Sequence, residues 1–446
     1  MGEVTMSKYT KQDIIRLVEE EDVEFIRLQF VDIFGTLKNM AVTTSQLDKV
    51  LNNECLFDCG AIEGFAGAER PELYLYPDLD TFEIFPWRPQ QGKVARFLCD
   101  VYTPEGVPFQ GDSRRILKDV VRQAKELGYD FDIGPECEFF LFELDEDGHA
   151  TTKTNEKGAY FDIGPIDMGE NARREMILML EDMGFEITSS FHADAPGQHE
   201  VDFKYDSVLE SADNIVTFKL VVRTVARRHG LHATFMPKPK SHAKGSGMHF
   251  NMAMYKDGKD VFHGEDGELS DLAKSFIAGI LSHAKAMSLI TNPIVNSYKR
   301  LVPGYEAPVY IGWSKQNLSP LIRIPSVKRG TTKIELRSPD CAANPYLALA
   351  VVLASGLDGI KKGMKAPESI DVDLRYAREE VIEQLQVETL PASLGEAIQA
   401  FEEDPYMTEV LGKHLANKYL QSKKQEWVAY TRQVSEWEID QYLEQV

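Results

Sequence analysis

The segment from Tyr102 to Asp112, YTPEGVPFQGD, divides a chain of 446 residues into two halves with different patterning. Its prolines and glycines are turn residues that neither a helix interior nor a central strand accommodates. Ahead of it, TKQDIIRLVEEED opens on Thr10 as a helix cap and carries a helical apolar period. VEFIRLQFVD and KVARFLCDVY alternate as half-buried strands do. Behind it, SRRILKDVVRQAKELG reads as an amphipathic helix stopped by Gly128, and ECEFFLFELDEDG as a strand and turn. ENARREMILMLEDMG reads as a second helix and FEITSSFHAD as another strand. Further helices are expected at about 207–229, 272–289 and 344–362, and the tail from Leu390 reads as helical throughout. Strands and helices mix without strict βαβ alternation, which predicts an α+β architecture with an antiparallel sheet. The length favours two domains, 1–108 and 109–446.

Charge narrows the function. A formal net charge of −22 argues against nucleic acid or an anionic membrane surface as the partner. It fits a site that gathers carboxylates around cations, although a solvated acidic surface is the commoner cause. No apolar run reaches membrane-spanning length, and the N-terminus, MGEVTMSKYTKQD, has no signal-peptide core, so a cytoplasmic protein is expected. Five cysteines without a CxxC pair indicate a reducing compartment and neither a disulfide frame nor a zinc knuckle. No GxGxxG or Walker loop is present, so an ATP site needs another architecture.

Within GPECEFFLF, Glu136 and Glu138 share one face of a strand whose neighbours Phe139 and Phe140 look buried. Two buried like charges cost several kcal/mol unless a cation lies between them. An exposed edge strand is the bland alternative, and for this segment alone the two are even. Three more segments tip the balance. PGQHEVDF carries Glu200 and Asp202, GSGMHFN places His249 behind a glycine-rich turn, and TTKIELRSPD carries Glu335 and Arg337. A single strand histidine is usually structural, but oxygen donors with one imidazole suit Mg²⁺ or Mn²⁺. Arg300 in NSYKRLVPGYEAP and Arg323 in SPLIRIP add guanidinium forks for carboxylate or phosphate oxygens. Singly these are ordinary surface charges; interleaved with metal-binding acids they suit phosphoryl transfer.

The chain resembles the type I glutamine synthetase family, in the short form of Gram-positive bacteria. FIRLQFVDIFGTLKN, YLYPDLDTFEIFPW, GPECEFFLF, APGQHEVDFKY, GSGMHFN, NSYKRLVPGYEAP, SPLIRIP and CAANPYLALAVVLASGLDGIKKG carry the likeness in order along its length. The resemblance implies an N-terminal β-grasp domain and a large catalytic domain with a curved antiparallel sheet flanked by helices. It implies ATP and Mg²⁺ or Mn²⁺, and a homo-dodecamer of two hexameric rings with active sites between subunits. The reaction it implies runs through γ-glutamyl phosphate, which ammonia attacks to give glutamine. By motif, Glu138 and Glu200 would belong to one metal site and Glu136, His249 and Glu335 to the other. Arg300 and Arg337, with Gly245, would bind glutamate. Arg323, Asn251 and Lys333 would face the nucleotide, Arg323 also serving catalysis. Glu306 would close over the site, and Asp58 would come from the adjacent subunit to attract ammonium.

Several family groups are replaced. FHADAPGQHE stands for HHEVAPGQHE, so Ala193 takes the place of a metal-binding Glu; Asp194, next along a strand, is expected to point away. QNLSPLIRIP puts Leu318 where an Arg meets the transferring phosphate. Gly60 and Ala61 follow Asp58 and Cys59 in place of DGSS, Lys244 stands for Asn, Ala253 for Ser and Gly67 for a feedback-sensing Arg. These changes leave two alternatives to glutamine formation: a ligase for a larger amine, or a synthetase-like protein with a binding or regulatory role.

Overall fold

The computed structural model describes residues 7–65, 71–88, 91–264, 268–304, 307–326 and 330–446. Glu306 and Gly67 lie outside them.

Two sheets account for the architecture. The first is built from β1 (Val23–Val31), β2 (Leu37–Thr43), β3 (Cys55–Asp58), β4 (Glu72–Pro77), β5 (Glu83–Ile84) and β6 (Lys93–Tyr102). Its order is β2-β1-β6-β4-β3, with β5 on β6. The central pair β1–β6 is parallel and the other pairings are antiparallel, the β-grasp arrangement that the resemblance implies. The helix Lys11–Glu20 precedes it, with Thr10 and Asp13 forming a capping box.

The second sheet contains β7 (Asp130–Glu143), β8 (Ile187–His192), β9 (Gln198–Phe203), β10 (Asp206–Ser207), β11 (Leu231–Thr234), β12 (Met248–Lys256), β13 (Lys259–Asp260), β14 (Tyr310–Ser314), β15 (Pro320–Arg323) and β16 (Ile334–Leu336). Its main path is β14-β15-β16-β12-β7-β9-β8. It is antiparallel except at its end, where β14 runs parallel to β15. Long β7 is the spine. Its odd residues Cys137 and Phe139 turn to the core, where Phe139 meets Phe218 of the helix Val208–Arg228 edge-on at 5.8 Å. Its even residues Glu136 and Glu138 are thereby left on the opposite face.

Behind the sheet the helices Asp271–Thr291 and Pro345–Lys362 cross at very short range. A Cβ on Gly279 would sit 2.1 Å from the Ser355 carbonyl oxygen, and one on Gly359 equally close to that of Ser275. Asn344 caps the second helix and also donates to Asp32 O and Ile33 O at 3.3 Å, fastening it to the loop after β1. Gly35, at φ +81°, makes that approach possible, because a side chain there would strike the Asn344 backbone. Buried Arg114 closes the seam between the two units, reaching Asp78 and Asp100 at 2.9 Å and Asp213 at 2.8 Å.

The tail is helical with breaks rather than continuously so: Leu394–Glu403, Pro405–Leu411, Lys413–Thr431 and Glu436–Tyr442, interrupted at Asp404, Gly412 and the stretch before Ser435. All five cysteines are buried. No helix of the described residues is long and apolar enough to cross a membrane.

Candidate active site

Strand register assembles the polar face. In antiparallel pairs, directly opposed residues project to the same side of the sheet. Glu136 lies opposite His249 on β12 and Asp202 on β9, and Glu138 lies opposite Glu200. Glu335 lies opposite Asn251 and Arg323. Segments far apart in sequence therefore present carboxylates, an imidazole and guanidinium groups to one cavity of about 580 Å³.

Glu136, His249 and Glu335 offer donor atoms that all lie within 4.8 Å of one another. His249 Nδ1 is 3.0 Å from Glu136 Oε2 and 3.8 Å from Glu335 Oε1. Asn251 donates to Glu136 Oε1 at 2.7 Å and orients it. Arg337 donates to Glu335 Oε1 at 2.6 Å, and Arg323 NH1 lies 3.2 Å from Oε2. That Oε2, like Asp202 Oδ1, is buried with no hydrogen-bond partner. Gly247 donates its N–H to Glu138. A Cβ at Gly247 would lie 2.5 Å from Arg300 NH2 and 2.9 Å from His249 Nε2, so the glycine lets both side chains close in.

The charges on this face are unbalanced. Burial alone would raise Glu136, but hydrogen bonds from His249 and Asn251, with the charges of His249 and Arg337, bring it down to about 2. Burial, then the charges of Glu138, Asp202 and Glu136, drives Glu200 well above the usual carboxylate range. Burial also raises Glu138, and it pushes Asp202 to about 6. This part of the acidic wall thus lacks a matching counter-charge within the protein. A hard divalent cation fits such a donor set, and the Glu335 oxygen that accepts no hydrogen bond, facing only the Arg323 charge, is a ready ligand atom.

The expected residues are not all equally placed. Glu136, Glu138, Glu200, His249, Arg300, Arg323, Arg337 and Gly245 line the cavity. Arg300 gives NH1 to the Ser338 carbonyl at 2.7 Å and NH2 to the Arg337 carbonyl at 3.1 Å, so its fork is largely occupied by backbone. Lys333 lies over the Tyr205 ring at 3.9 Å and is not among the lining residues. Asp58 caps the N–H of Gly60 at 2.8 Å and does not line this chain's cavity. Asp194 departs from expectation. β8 ends at His192, the alternation stops there, and Asp194 turns into the cavity, where it pairs with Lys244.

Aromatic residues lining the same cavity were not anticipated. Tyr160, Phe161 and Phe191 line the cavity with Ala193, Ala307 and Leu318. Phe161 and Phe191 meet edge-on at 4.7 Å. Phe161 has φ 64°, a strained value for an aromatic residue, and its N–H donates to the His192 carbonyl at 3.0 Å. Two adjacent aromatics in a turn-rich stretch, GAYFDIGP, were the available signal.

The chain matches the family model "Glutamine synthetase, catalytic domain" over residues 110–442 and "Glutamine synthetase, beta-Grasp domain" over residues 22–104. It is 54% identical over 440 residues to glutamine synthetase of Clostridium saccharobutylicum, covering 98% of this chain and 99% of that one. It is 53% identical to glutamine synthetase of Staphylococcus aureus (strain MRSA252), with the same coverage. A solved structure described as a GmaS/ADP complex superposes with a TM-score of 0.88 at 32% identity, over 97% of this chain and 99% of that one. A cryo-EM structure of Plasmodium falciparum glutamine synthetase, 24% identical over 98% of this chain and 99% of that one, gives a TM-score of 0.86 and supports the fold alone. Two family models spanning most of the chain, and relatives more than half identical along its length, make it a member of the glutamine synthetase family.

Proposed function

We propose that the chain joins ammonia to the γ-carboxylate of glutamate, using ATP and a divalent cation, and releases glutamine, ADP and phosphate. The observation that carries this is the convergence of Glu136, His249 and Glu335 at the wall of the cavity that Glu136 and His249 line, with Arg323 and Arg337 paired to Glu335. The full-length likeness to glutamine synthetases favours ammonia over a larger amine, and catalysis over a purely regulatory role.

A carboxylate is a poor electrophile because its leaving group would be oxide. Phosphorylation makes that oxygen a leaving group, and the cation offsets charge on the phosphates when bound. In this reading Glu136, His249 and Glu335 hold the cation, and its oxygen-rich donor set favours Mg²⁺ or Mn²⁺. Arg323 and Arg337 neutralise oxyanions on the acyl phosphate. Glu138 and Glu200 would hold a second cation only weakly, with one ligand fewer than the family provides, since Ala193 contributes none. The apolar wall of Phe161, Phe191 and Leu318 limits access of water to the acyl phosphate. Arg300 grips glutamate less directly than it fixes the backbone carrying Arg337. Asp58 serves the neighbouring subunit's site within a dodecamer. Buried cysteines fit a cytoplasmic location.

The test is direct. Purified full-length chain supplied with glutamate, ammonia, ATP and Mg²⁺ or Mn²⁺ should form glutamine and phosphate in equal amounts. Glu335→Gln should lower that rate on the order of a hundredfold while the circular dichroism spectrum stays unchanged. Absence of glutamine under either metal would overturn the reading.

A further inference from the structure

A second cavity of similar size lies away from the carboxylates. It encloses about 620 Å³ in a cleft between the two units of the chain. The first sheet contributes Arg27 from β1, together with Trp87 and Arg88 that follow β5. The catalytic unit contributes Arg223, Arg227 and Arg228 from the last turns of the helix Val208–Arg228.

Five guanidinium groups on one cleft stand out in a chain of net charge −22. Arg228 is paired with Glu175 at 3.0 Å. Arg27, Arg88, Arg223 and Arg227 have no carboxylate within ion-pair distance among the described residues. Burial and the nearby charge of Arg88 make Arg27 easier to deprotonate than an ordinary arginine, so the cluster repels itself. Aromatic packing holds parts of it in place. Phe85 and Trp87 stack at 4.6 Å, Arg27 lies 5.8 Å from the Phe85 ring, and Arg223 lies 5.2 Å from the Phe235 ring. The positive charge, carried mostly by exposed side chains, therefore gathers around a concave site of ligand size and lacks a counter-ion among the described residues.

We propose that this cleft is a second ligand site, for a small molecule carrying two or more phosphate groups. Planar guanidinium forks take phosphate oxygens in pairs. Four unpaired forks exceed what one carboxylate or one monoanion satisfies, whereas two linked phosphates offer enough acceptors. The cleft draws on both units, so its ligand bridges the β-grasp sheet to the helix Val208–Arg228, away from the acidic cavity.

The assay uses the full-length protein in EDTA, which suppresses cation-dependent binding in the acidic cavity, and pyrophosphate as the titrant. Calorimetry should show one pyrophosphate per chain. Binding should weaken by about tenfold or more with added salt and in the double variant Arg223→Glu, Arg227→Glu. Arg227→Gln, a milder change on the exposed helix end, should weaken it in the same direction, and Glu335→Gln should leave it unchanged. ADP binding more tightly than pyrophosphate would identify a nucleoside diphosphate seated against Trp87; equal binding would identify a phosphate-only ligand. The proposal is overturned if pyrophosphate does not bind, if malonate binds as well as pyrophosphate, or if Glu335→Gln abolishes binding while the double variant keeps it. It is equally overturned if pyrophosphate fails to bind and the double variant breaks the oligomer, because the cleft is then a face between copies of the chain.

Discussion

On the proposed reading, Ala193 sets how many cations the site holds. Glu138 and Glu200 face each other across β7 and β9, and Glu200 is pushed well above the carboxylate range, first by burial and then by its acidic neighbours. Glu136, His249 and Glu335 form a three-donor cluster, whereas Ala193 contributes no ligand beside Glu138 and Glu200. The protein should therefore bind one Mn²⁺ tightly per chain. Ala193→Glu should raise the number to two in equilibrium dialysis and increase the rate of glutamine formation. Two Mn²⁺ already bound by the unaltered chain, with number and rate unchanged in Ala193→Glu, would show that Asp194 or Asp202 completes the second site. At this scale the sequence was informative about acids and less so about their surroundings. The i, i+2 spacing of Glu136 and Glu138 was enough to put them on one face. Asp194 was misjudged because strand alternation was extended beyond the end of β8. The engagement of Arg300 with backbone carbonyls depends on a tertiary contact that local pattern does not encode.

Helix Pro345–Lys362 holds the catalytic sheet's support in place, and its closeness to Asp271–Thr291 depends on glycines at the crossing. With the Ser355 carbonyl 2.1 Å from a Gly279 Cβ, backbone must move to admit even a methyl group. Gly279→Ala should destabilise the fold by about 1–3 kcal/mol, read as a lower urea midpoint. Little or no shift would mean that the helices separate freely. Both helices were legible in the sequence, and Asn344, where the second was expected to begin, is its cap. The close crossing was not legible, since glycine within a helical pattern also reads as a simple weak point. The short parallel pairing of β14 with β15 was missed for a similar reason: strand direction follows from the connection, not from alternation within each strand.

For the whole molecule, the expected assembly makes a claim about shared sites. Asp58 ends edge strand β3 and is absent from its own chain's cavity. If it completes a neighbour's site, Asp58→Ala and Arg337→Ala proteins should each be inactive alone. Rings assembled from an equal mixture should recover about a quarter of normal activity, because that share of sites carries neither change. No recovery in demonstrably mixed rings would place Asp58 outside the site. The central claim, that residues distant in sequence converge to hold a divalent cation, has a more immediate test. Pulsed electron paramagnetic resonance of the Mn²⁺-loaded protein should show coupling to a histidine nitrogen, and His249→Ala should abolish it with the fold intact. Mn²⁺ that binds with no nitrogen coupling, or with coupling that survives His249→Ala, would contradict the account.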